Sequence, residues 1–111
     1  MRTLYATVAL TLLAGSTLLS AATYKGQKIY IESCKECHGG GQELAASKKQ
    51  RAWEKLMNAK GQKLADIHLG SKKAQASWEY FGSRAFTKNA KHLEDFLVEY
   101  AADSGNVPAC N

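Results

Sequence analysis

Cys34-Lys35-Glu36-Cys37-His38 is the stretch of this chain best equipped for chemistry. Two thiols three positions apart, followed at once by an imidazole, make the C-x-x-C-H spacing that attaches haem covalently. Each sulfur can reach one vinyl group of a porphyrin, and the adjacent imidazole can then supply one axial ligand to the iron. Other uses of the pentapeptide fit less well. A structural zinc site needs four nitrogen or sulfur donors at set spacings, and Cys110, His68 and His92 stand at none of them. A thioredoxin-like dithiol belongs beside a strand–helix pattern, and no βαβ pattern is present. The spacing therefore predicts haem thioethers at Cys34 and Cys37 and an axial bond from His38.

The elements that must position these residues read as helices. Only one proline occurs, at position 108, and apolar residues recur at intervals of three and four rather than two. The periodicity predicts a first helix from Tyr24 to Cys34, with Gly26, Ile29, Tyr30, Ser33, Cys34 and Cys37 on one face and Gly39-Gly40-Gly41 as its stop. A second runs from Ser47 to Ala59, burying Trp53, Leu56 and Met57. Gly61 ends or kinks it, and a short helix with Leu64, Ile67 and His68 follows in the same phase. A third segment covers 71–81 with Ala74, Trp78 and Phe81, closed by Gly82. The last helix, with Thr87 as a cap, carries the stripe Ala90, Leu93, Phe96, Leu97, Tyr100 and Ala101. Asp103 to Asn106 break it. The fold class predicted is all-α, a small helical fold wrapped around one covalently attached haem.

Residues 1–22 have the pattern of an export leader, removed before Thr23. Arg2 is their only charge, an apolar run extends from Leu4 to Leu19, and Ser20-Ala21-Ala22 supply the small residues for cleavage. The run is short and rich in Thr and Ser for a retained membrane span. Residues 23–111 then form one small domain, with 103–111 as a tail. So thin a core gains from a cofactor as filler. The whole chain has 15 Lys and Arg against 10 Asp and Glu, a formal net charge of +5. The basic residues cluster at Lys48-Lys49-Gln50-Arg51, at Lys72-Lys73, and at Lys88 with Lys91. Such runs are either a solvated helix surface or a docking rim for an acidic redox partner. Export excludes nucleic acid as the partner.

The order of elements resembles the small monohaem class I cytochromes c: an N-terminal helix leading into C-x-x-C-H, and an aromatic C-terminal helix closing the fold. In that family a glycine and an aromatic of the first helix cross an aliphatic and an aromatic of the last. Gly26 and Tyr30 have the matching spacing, and Leu97 with Tyr100, or Leu93 with Phe96, offer the partner pair. The resemblance implies one haem c per chain, assembly and residence in the periplasm, and a carrier of single electrons rather than an enzyme. It implies redox protein partners with acidic docking surfaces, and membrane contact only through a membrane-bound partner.

The chain departs from this family at the second axial ligand, since no methionine stands between Ser71 and Lys91. Three residues remain. His68 shares an apolar face with Leu64 and lies far enough beyond His38 for the chain between them to wrap a haem edge. Met57 is closer in sequence and lies beside Trp53 and Leu56, a setting for core filler. His92, next to Lys91, reads as solvent-facing or capping. Loop length and helical phase rank His68 first, Met57 second, and an open sixth position third. Two imidazoles imply a lower reduction potential than an imidazole and a thioether.

Cys110 is left over once two thiols are consumed. It is either a small apolar residue of the tail or a redox group able to form a mixed disulfide or to link two copies of the chain. The functions to be separated are a periplasmic electron carrier, a haem subunit or sulfur-handling component of a redox enzyme using Cys110, and a sensor that binds small ligands at an open iron. No acid–base pair or nucleophile triad accompanies the pentapeptide.

Overall fold

A computed structural model describes the backbone of residues 17–106 and the side chains of residues 23–106. Most of the expected leader, and residues 107–111 with Cys110, lie outside these residues. Helix α1 spans Thr17–Ser33, α2 Lys35–His38, α3 Gly41–Ala45, α4 Gln50–Leu69, α5 Trp78–Phe81 and α6 Arg84–Glu99, with a 3-10 turn at Lys72–Ser77 before α5. No strand occurs among the described residues, as the three-and-four periodicity requires.

Helix α6 is the spine of the fold, packing chiefly on α1 and α4. Phe86, Ala90, Leu93, Phe96 and Leu97 are buried along one face of it, the stripe expected of an amphipathic helix with its apolar side turned to the core. Its cap differs from the expectation. Ser83, not Thr87, stands at the N-cap, its hydroxyl accepting from the Phe86 N–H, while Thr87 lies inside the first turns and donates to the Arg84 carbonyl. A serine that can take an orphan amide starts the helix one turn early. That extra turn puts His92 in mid-helix. It is half-buried rather than capping or facing water, and its Nδ1 is enclosed without a hydrogen-bond partner.

The crossing of α1 over α6 is built on a missing side chain. A Cβ at Gly26 would overlap the His92 carbonyl oxygen and lie 2.7 Å from Phe96 Cβ, so only glycine lets the two backbones meet. One turn on, the Tyr30 and Phe96 rings pack with centroids 5.7 Å apart. Of the two partner pairs legible in the sequence, the one containing Phe96 sits at the crossing. Gly41, at the start of α3, closes the same corner, because a Cβ there would press on Phe96 and Tyr30.

Helix α4 is two helices joined by a left-handed link. Asn58 is extended, and Ala59, Lys60 and Gly61 have φ of 51°, 59° and 76°. The break expected at Gly61 is therefore present, and it recruits two residues with side chains. A Cβ at Gly61 would meet the Phe86 ring 2.5 Å away, so this glycine serves both the turn and the packing. Other ties are non-local. Gln50 N–H donates to Asp103 Oδ1 at 2.8 Å, so a carboxylate beyond the end of α6 caps the start of α4. Trp53 Nε1 donates to the Ala45 carbonyl at 2.8 Å, fastening α3 to α4. Gly82 occupies the C-cap of α5 in right-handed geometry, φ −86°, because α6 starts two residues later and no left-handed reversal is needed.

Candidate functional site

The pentapeptide lies where α1 gives way to a single turn. Cys34 N–H donates to the Tyr30 carbonyl at 2.8 Å, so Cys34 rides on the end of α1. Lys35–His38 then coil once more, with His38 N–H donating to the Cys34 carbonyl at 3.0 Å. One turn of backbone thus delivers both thiols and the imidazole, as the spacing demands. Gly39 follows at φ 75°, ψ −154°, a conformation essentially restricted to glycine. The Tyr30 hydroxyl donates to its carbonyl at 2.6 Å and so fastens the chain immediately after His38. Cys34 is half-buried, while Cys37 and His38 are exposed. Burial, and after it the neighbouring Cys37, push the Cys34 thiol up to about 12. A redox-active dithiol needs the reverse, a lowered pKa.

His68 comes to His38 from the far half of α4. Their ring centroids are 6.0 Å apart, with planes inclined at 75°. A metal held about 2 Å from one nitrogen of each ring, the usual imidazole distance, leaves the ring centres about 6 Å apart. His68 Nδ1 lies 2.8 Å from the Leu64 carbonyl, which accepts its proton in the tautomer that leaves Nε2 with a free lone pair. The ring of Phe81 stacks on that of His68, centroids 4.1 Å apart and 26° between planes. Trp78 Nε1 donates to the His68 carbonyl at 2.8 Å and is 3.1 Å from that of Ser71. The left-handed link at 58–61 makes this approach possible, since it reorients the Leu64–His68 half of the helix after Met57.

Met57 is placed differently. It is buried in the core, with its methyl against Gly61, and it also lines a cleft of about 560 Å³ together with Lys60, Lys88, Lys91 and Glu94. His92 belongs to the crossing of α1 and α6. Of the sequence candidates, His68 is therefore the one whose ring meets that of His38.

Among the described residues no three His, Cys, Asp or Glu side chains group as a metal site. Four large apolar side chains are well exposed: Tyr24 at 68%, Ile67 at 54%, Ile31 at 45% and Leu69 at 42%. Ile67 and Leu69 flank His68 in the chain, and Ile31 is one turn before Cys34.

Lys72 and Lys73 stand exposed on the turn that follows His68. Lys91 is less available, because its ammonium pairs with Asp95 at 3.1 Å and with Glu94 at 3.9 Å. Sequence reasoning singled out His38, His68 and both thiols as candidates and did not relate Phe81 or Trp78 to His68. The apolar phase of 71–81 marked these two as core and carried no sign of what they would touch. No family model, no curated protein and no solved structure matches the chain.

Proposed function

We propose that the chain is a periplasmic electron carrier whose single haem is bound through thioethers from Cys34 and Cys37 and ligated by His38 and His68. The observation that carries this reading is the pair of imidazoles 6.0 Å apart, one of them ending C-x-x-C-H. The haem, when bound, supplies the one-electron chemistry of its iron.

The protein's residues account for the rest. Cys34 and Cys37 anchor the cofactor permanently. The Tyr30 hydroxyl, on the Gly39 carbonyl, and Trp78 Nε1, on that of His68, hold the backbone beside each axial ligand, so little need move as the charge changes. Ile31, Ile67 and Leu69 provide apolar cover, and exposed Lys72 and Lys73 offer a basic rim to an acidic redox partner.

The test is expression of the full chain in a host that attaches haem to exported proteins. Covalent haem should survive a denaturing gel in the wild type and disappear when Cys34 and Cys37 are both replaced by Ala. His68→Ala should convert a low-spin absorption spectrum to high-spin and open the iron to carbon monoxide, while Met57→Ala should leave ligation unchanged. A colourless wild-type protein, or a spectrum altered by Met57→Ala and not by His68→Ala, defeats the reading.

A further inference from the structure

His68 is gripped on three sides, and all three grips act on the orientation of its ring. Nδ1 is tied to the Leu64 carbonyl of its own helix. The face of the ring lies against Phe81, which is itself buried and wedged against Phe86 at 4.9 Å and Tyr80 at 5.3 Å. The backbone carbonyl is held by the Trp78 indole, which also lies within reach of Ser71. A ring that is stacked, hydrogen-bonded and fixed at its backbone has no freedom to turn about its own axis. The ring so held lies at 75° to the ring of His38, which is exposed.

The geometry points to Phe81 and Trp78 as positioning residues that hold the two imidazoles crossed on a shared iron. The inference rests on the ligation proposed above and adds to it the device that sets ligand orientation. Its physical consequence is electronic. An imidazole raises the energy of the iron d orbital perpendicular to its own plane. Parallel rings raise the same orbital and split the pair; crossed rings raise one each and leave the two nearly equal. Ferric iron with crossed rings therefore gives a strongly anisotropic paramagnetic resonance signal, dominated by one low-field feature. With parallel rings it gives an ordinary rhombic signal with three resolved components.

Low-temperature resonance spectra of the haem-loaded ferric protein test this. The wild type should show the single low-field feature. Phe81→Leu removes the stacked face and should replace that feature with the rhombic signal while the optical spectrum stays low-spin. Phe81→Tyr keeps the face and should keep the feature. Because Phe81 is buried and Leu could loosen the fold, Trp78→Phe provides a second route: it keeps an aromatic side chain at this position but removes the indole N–H that holds the His68 carbonyl, and should also shift intensity from the low-field feature to the rhombic signal. A rhombic wild type, or a low-field feature unchanged in both Phe81→Leu and Trp78→Phe, overturns the inference while leaving the ligation intact. A wild-type signal that survives His68→Ala removes the ligation itself, and the inference with it.

Discussion

The middle of α1 and the chain that follows its C-terminal end meet the rest of the protein in opposite ways. Near Gly26 the helix crosses α6 with no space left, backbone against backbone and Tyr30 against Phe96. Past Tyr30 the chain leaves the helix for Cys37 and His38, which are exposed, as are Ile31 on α1 and Ile67 and Leu69 beside His68 in sequence. The first region is complete as protein. The second has both backbones beside the imidazoles hydrogen-bonded and carries exposed apolar side chains. Packing of the first kind sets stability, and on the function proposed above the second region is the one that the haem would cover.

The contrast predicts that damage at the crossing weakens the protein whether or not haem is attached. Gly26→Ala should have the largest effect. Its methyl overlaps a backbone oxygen that cannot swing aside, and overpacking of this kind costs about 3 kcal/mol. Denaturant melts of the apo and haem-loaded forms should shift together. If only the haem-loaded form is affected, the crossing is not an independent support.

Tyr30→Phe should cost less, about 1 kcal/mol for the lost hydrogen bond to Gly39, and it carries a pH signature. The Tyr30 phenol is pushed up to about 12, first by burial and then by Cys34 and Glu43, from an ordinary value near 10. A raised phenol favours the folded state fully below pH ~10, and that contribution drains away as pH climbs to about 12. The wild type should therefore lose stability over that window more steeply than Tyr30→Phe, as alkaline melts would show. Equal slopes would mean that the phenol is not held neutral by the fold.

On the open side the outcome should depend on the cofactor. Ile67 is 54% exposed, so Ile67→Ser should change the stability of the apo protein by less than about 0.5 kcal/mol, as for most surface substitutions. In the haem-loaded protein the side chain gains an apolar neighbour, and the same change should cost about 1 kcal/mol. Parallel thermal melts of the two forms measure the difference. No difference would place the haem away from Ile67.

Much of the crossing was legible in the sequence because its signals are local. The stripe from Ala90 to Ala101 and the spacing of Gly26 to Tyr30 each need only one helix to be read. In the candidate site, Cys34, Cys37 and His38 stand out by type and spacing, whereas loop length and helical phase only ranked His68 above Met57. By contrast, Phe81 against His68, Trp78 on the His68 carbonyl and Asp103 capping α4 join residues that no helical period relates. Three glycines after His38 read as a loop, yet Gly41 begins α3, because close approach to Phe96 and Tyr30 needs a glycine even inside a helix. The expected cap is Thr87, whereas the chain starts the helix at Ser83, a residue type at least as good at taking an orphan amide.

The last prediction concerns the link between the two regions. Ala59 and Lys60 hold φ of 51° and 59° with no glycine to ease them. Each left-handed residue with a side chain costs about 1–2 kcal/mol, yet the turn persists, since a right-handed path would run 50–69 as one straight helix and change the direction from which His68 approaches. Ala59→Gly relieves the steric cost and at the same time loosens the unfolded chain, which takes back about 0.4–1 kcal/mol. The net expectation is a gain of about 0.5 kcal/mol with the low-spin spectrum unchanged, measured by denaturant melts and absorption on the haem-loaded chain. Ala59→Pro fails on the same ground, because its ring fixes φ near −65° and forbids the turn. It should therefore release His68 as the axial ligand. If low-spin haem were retained in Ala59→Pro, the approach of His68 to His38 would not depend on this link, and the open face would owe its shape to α5 alone.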